Sequence, residues 1–106
     1  MGCVSSSPVY LVTYSKLTVG EENNFEKEYA EKALQIAKKY GAKVIAFGQA
    51  ETFFNKNVNF EPDVVAVISF PSEKKYMKFK NSETYAALHT VRDRTVFRSN
   101  WQVVHG

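Results

Sequence analysis

The sequence holds a single cysteine, Cys3. That excludes an intrachain disulfide framework and leaves no cysteine-based zinc site. Its two histidines, His89 and His105, stand too far apart in sequence to suggest a metal centre. No stretch approaches the ~20 apolar residues of a membrane-spanning helix. There is no glycine-rich phosphate loop and no recognisable nucleic-acid motif, so the expectation is no metal, no cofactor and no nucleic acid. The start, "MGCVSSSP", lacks the basic-then-apolar order of a secretory signal, and a cytoplasmic setting is the expectation. The same start does match the acylation pattern M-G-x-x-x-[ST], with Gly2 as acceptor and Cys3 free for a second chain. Membrane attachment would follow only if both were acylated, because one chain holds weakly.

What the chain has in abundance is rings. Eight Phe, six Tyr and one Trp make 14% of 106 residues aromatic. A chain of this length forms one domain and buries roughly 60–70% of its unfolded surface. A loose N-terminus is expected over residues 1–7 and one folded domain over 8–106. The net charge of +3 is spread along the chain. Its one cluster, "EKKYMKFK", reads as the wet face of a helix.

The order of elements follows from periodicity. "PVYLVTYSKL" (Pro8 to Leu17) alternates as a strand. In "NFEKEYAEKALQIAKKYG", Phe25, Tyr29, Ala33, Ile36 and Tyr40 recur at helical spacing, with Gly41 as the stop. "AKVIAFGQAETF" reads as a second strand and "DVVAVISF" as a third. Ser72 and Ser82 each look like a helix N-cap, one opening a short helix through Tyr76, Met77 and Phe79, the other a run through Tyr85, Leu88, His89 and Arg92. A last strand centres on Trp101 to Val104. Strand–helix–strand–strand–helix–strand is the α+β, ferredoxin-like βαββαβ sandwich, with a four-stranded antiparallel sheet and both helices on one face.

That arrangement leaves one sheet face without cover, and the strands are apolar on both. In the third, Val64, Ala66, Ile68 and Phe70 point one way while Val65 and Val67 point the other. The first sets Val9 and Leu11 against Tyr10, Val12 and Tyr14; the second sets Val44 and Ala46 against Ile45 and Phe47. Two greasy faces exceed what a soluble monomer usually exposes. A homodimer closed sheet to sheet would hide the second.

The stretches "EYAEKALQIAKKYGAKVIAFG", "VVAVISFPS", "FKNSETYAALHTVR" and "VVHG" resemble the dimeric α+β-barrel superfamily. More narrowly they resemble a bacterial family of small uncharacterised domains with an "FPS" turn. The resemblance implies the same dimer. It also implies a ligand pocket between sheet and helices, where a histidine near the start of the second helix works with tyrosines on polyketide, aromatic or acyl substrates. Several charges of the narrower family are missing: Gly41-Ala42-Lys43, Phe47-Gly48-Gln49, Ser69 and His105 stand where it tends to carry arginines or acids. A less charged, more apolar interior is the consequence.

At the place of the family histidine stands "NSETY" with Tyr85, then His89 and Arg92 at helical spacing. Tyr85 and His89 are the candidate catalytic pair, able to move a proton, and Arg92 could bind an anion. Equally, Tyr85 could simply pack and Arg92 pair with Asp93. Tyr10, Tyr14, Phe47, Phe60, Phe79 and Trp101 join Tyr85, His89 and Arg92 as candidate ligand contacts. Asp63, Ser69 and His105 are further polar candidates. Phe53, Phe54 and Phe60 sit in the long connection before the third strand, where rings need a pocket or a partner to cover them. The expectation is a homodimer that binds a small apolar molecule, of acyl or polyketide kind, in an aromatic pocket. The alternatives are a cofactor-free enzyme on such a substrate and a membrane-attached dimeric scaffold.

Overall fold

A computed structural model describes residues 7–56 and 59–106. The acylation pattern at Gly2, Cys3 and Ser6 lies outside the described residues. Four strands, β1 (Val9–Leu17), β2 (Lys43–Gln49), β3 (Val64–Phe70) and β4 (Val96–His105), pair antiparallel in the order β2-β3-β1-β4. The helices between them are α1 (Glu22–Asn24), a π segment (Phe25–Ala30) and α2 (Glu31–Lys38) after β1, then α3 (Glu73–Lys80), α4 (Glu83–Ala86) and α5 (His89–Thr95) after β3. This is the ferredoxin-like order expected from the sequence.

The period-2 alternation of the central strands decides which residues meet the helices. Val9, Leu11 and Leu17 of β1 and Ala66, Ile68 and Phe70 of β3 are buried beneath Phe25, Tyr29, Tyr76, Phe79 and Tyr85. Tyr10 opposite Ser69, Val12 opposite Val67 and Tyr14 opposite Val65 occupy the other face. These residues are only half-buried, and Val104, opposite Tyr10, is 52% exposed.

Three local features differ from the sequence expectation. The π segment interrupts what reads as one α-helix. In an α-helix, positions five apart point about 140° apart. The i→i+5 bonding widens the turn, so Phe25, Tyr29 and Ala30 are all buried. In β2 the expected pairing of faces is wrong. A register shift between Val44 and Ala46 sets Val44 opposite Ile68 and Phe47 opposite Ala66, so Val44 and Phe47 share the helix-side face. The strand also ends at Gln49, and Phe53 is not part of it.

Both serine caps are present. Ser72 Oγ accepts from the Lys75 amide and Ser82 Oγ from the Tyr85 amide, each at 3.2 Å. Gly41 has φ +85°, beyond the end of α2. Asp63 belongs to the scaffold: its carboxylate accepts from the Leu17 amide at 2.8 Å, tying the end of β1 to the start of β3.

Candidate functional site

The Ser82 cap starts α4, and three residues later the chain turns Tyr85 inward until it is 1% exposed. Its ring lies 4.9 Å from Phe79, 5.3 Å from His89 and 5.9 Å from Trp101, centroid to centroid. Its hydroxyl lies 2.7 Å from that of Tyr29, which the π segment supplies from the neighbouring helical run. Arg92 Nη1 donates to the Tyr85 hydroxyl at 3.4 Å. Arg92 Nε and Nη2 both donate to Asp93 Oδ1 at 3.3 Å.

Burial pushes the Tyr29 phenol far above its ordinary value, and the Tyr85 hydroxyl beside it adds to the shift. Desolvation, the largest single effect at Arg92, pulls its value down. The hydrogen bond to Tyr85 and the charges around it outweigh that, and the net shift is upward. The guanidinium is therefore a permanent cation at the edge of a buried phenol pair.

Tyr85, His89, Arg92 and Trp101 line one open cleft of about 680 Å³, formed where α3, α4 and α5 meet the first half of β4. Lys80 and Arg98 add two more cations to its rim, and Asp93 is its carboxylate. Val96, Phe97 and Tyr76 complete the apolar walls. Four of the nine candidate ligand contacts thus converge, although α4 and α5 are separate segments.

The other five are elsewhere. Phe79 is 3% exposed and belongs to the core, where it borders a void of about 50 Å³; Phe47 borders that void and also a separate open cleft of about 730 Å³ with Phe25, Gln49 and Val64. The centre of the layer between sheet and helices is filled by Leu11, Phe70, Phe79 and Tyr85, and the cleft that holds Tyr85, His89 and Arg92 opens at the α5–β4 end. Tyr14 and Phe60 line a separate cleft of about 600 Å³ under the connection from β2 to β3, with Phe53 and Phe54. Tyr10 is on the sheet face away from His89. His105 lies 3.7 Å from Glu73 and far along β4 from the cleft. Ser69 pairs with Tyr10 and Lys43.

Sequence reasoning missed Tyr29, Lys80 and Arg98. Tyr29 was legible as a core position of the helix repeat. A tyrosine among Phe, Ala and Ile signals a hydroxyl that needs a partner. Among the described residues no group of three His, Cys, Asp or Glu could hold a metal ion. Nor, among them, is any helix long and apolar enough to cross a membrane.

Residues 8–106 match the family described as "Domain of unknown function (DUF1330)". The chain belongs to the DUF1330 family. No curated protein matches this DUF1330 domain. Among solved structures it is similar to a protein of unknown function from Rhodopseudomonas palustris, at 16% identity and a TM-score of 0.78, over 95% of this chain and 83% of that one. It also resembles a dabb family protein with a ferredoxin-like fold from Mesorhizobium loti, at 14% identity and a TM-score of 0.67, over 93% and 96%. An uncharacterised NIPSNAP domain protein from Burkholderia xenovorans gives 15% identity and a TM-score of 0.61, over 92% and 91%. At these identities the likeness establishes the ferredoxin-like fold of the DUF1330 domain and nothing finer.

Proposed function

We propose that this protein is a homodimeric binding domain for a small amphiphilic molecule, an acyl or aromatic compound with a polar head. The observation that carries the reading is the cleft in which Trp101 and Phe97 stand beside Arg92, Lys80 and Arg98. Apolar walls with a few convergent polar groups are the usual make-up of a ligand site. The homodimer is supported by the free sheet face, where Tyr10, Val12, Tyr14, Val65 and Val67 lie adjacent and only half-buried.

Trp101 is the only tryptophan of the chain and lines the cleft, so its fluorescence reports occupancy there. Decanoate and 1-naphthoate should change Trp101 emission saturably at micromolar to low millimolar concentration. Emission that stays constant up to the solubility limit of both would refute the reading.

A second reading, cofactor-free proton transfer, is favoured by His89. Its ring is exposed at the cleft, edge-on to Tyr85 and one turn from Arg92. An imidazole beside a guanidinium could take a proton α to a carbonyl while the cation holds the developing enolate. Turnover of acyl and aromatic carbonyl substrates that is equal in wild type and His89→Ala would end it.

A further inference from the structure

Arg92 is held in an unusual way for a surface arginine. One guanidinium nitrogen is tied to a phenol that is itself buried against a second phenol from the neighbouring helical run. The other two contacts are to its own neighbour, Asp93, whose side chain is 71% exposed. Guanidinium has five N–H donors. Three hydrogen bonds leave two donors free at the cleft. Both donors spent on Asp93 go to the same oxygen, Oδ1, so the fork-to-fork geometry that makes Arg–carboxylate pairs strong is not used. An exposed pair of this kind contributes little.

We propose that the Tyr29–Tyr85 hydroxyl pair fixes Arg92 as the receptor for a ligand carboxylate, and that Asp93 occupies this receptor in the free protein until the ligand displaces it. The proposal rests on the binding reading above and names its ligand class: an amphiphilic carboxylate. Three cations against one carboxylate give the cleft a net positive field, which favours an anionic head over a neutral one. A ligand carboxylate can set one oxygen on each arm of the fork, whereas Asp93 offers the single oxygen Oδ1 to both. Its apolar tail would lie against Trp101 and Phe97. Tyr29 does not line the cleft and acts only through Tyr85, so it is a positioning residue.

Two compounds of equal chain length separate head recognition from tail burial: decanoate and 1-decanol, both read by Trp101 fluorescence on the full chain. The wild type should bind decanoate more tightly than 1-decanol. Asp93→Asn should strengthen decanoate binding about two- to fivefold, the worth of an exposed pair, because the competing carboxylate is gone. Arg92→Gln should weaken decanoate roughly tenfold or more. Tyr29→Phe should weaken it about threefold by loosening Arg92. All three should change 1-decanol binding far less than decanoate binding, so the decanoate-to-decanol ratio is the readout. A gain of affinity in Asp93→Asn is a result that partial unfolding cannot produce.

If the wild type binds neither compound, the binding reading falls and takes this one with it. If it binds both but Asp93→Asn leaves the decanoate-to-decanol ratio unchanged, the receptor proposal is wrong while the cleft remains a ligand site. An unchanged ratio in Tyr29→Phe would likewise overturn the positioning role.

Discussion

The hydroxyls of Tyr29 and Tyr85 meet at 2.7 Å in the buried interior, one delivered by the π segment and the other by the Ser82-capped turn. Their environments are not symmetric, because only Tyr85 also receives Arg92. Tyr85→Phe strands the Tyr29 hydroxyl, and an unsatisfied buried donor costs about 1–3 kcal/mol. Tyr29→Phe leaves Tyr85 with Arg92 and should cost less, about 0.5–1.5 kcal/mol. Urea denaturation of the two single variants checks this order. Equal losses would show that the contact from Arg92 carries no weight.

Tyr29, with Tyr76, gives the protein an alkaline limit. Burial raises the Tyr29 phenol well above its ordinary value of 10.0, and desolvation raises Tyr76 in the same direction. A group with a raised folded-state value stabilises fully below its unfolded value and loses that contribution as pH climbs past it. Above about pH 10 the unfolded chain releases these protons and the folded chain keeps them. Stability should therefore be flat up to about pH 9.5 and then fall, with a slope approaching ~1.4 kcal/mol per pH unit for each such tyrosine. Urea titrations from pH 8 to 11 should show the fall, and Tyr29→Phe should make it shallower.

Gly41 lies at a point that no other residue fits. It has φ +85°, and a Cβ there would stand 2.6 Å from Pro71 Cγ. Left-handed backbone costs a non-glycine residue about 1–2 kcal/mol before any clash. Gly41→Ala should destabilise by about 2 kcal/mol or more, read as a lowered urea midpoint with an unchanged slope.

The free sheet face offers the test of the proposed homodimer. Val67 lies at its centre, opposite Val12. Val67→Glu would bury a charge between two copies, a cost far beyond what an apolar interface tolerates. Sedimentation at micromolar concentration should find a dimer for the wild type and a folded monomer for the variant. A wild type that sediments as a monomer would refute the pairing.

Much of the fold was legible because it rests on local chemistry. Alternation in Val9 to Leu17 and Val64 to Phe70 settled which side chains could face the helices, and Ser72 and Ser82 announced two helix starts by residue type. β2 shows the limit: a bulge between Val44 and Ala46 reverses the alternation, and only pairing with β3 reveals it. The candidate site was legible in part. Tyr85, His89 and Arg92 share one stretch of chain, and their spacing brought them together. Tyr29, Lys80 and Arg98 reach the same region from other elements, through a π turn, the end of α3 and an edge strand, which no local spacing encodes.

By itself the sequence determined the element order, the two-faced strands, the capped helices and the absence of a disulfide framework, since each follows from the chemistry of near neighbours. The tertiary structure decided that the centre of the layer between sheet and helices is packed with rings, that the cleft holding Tyr85, His89 and Arg92 lies beside β4, and that two tyrosines 56 residues apart share a hydrogen bond. Those outcomes depend on how distant side chains fill a common volume, and volume is a property of the assembled layers rather than of any stretch of chain.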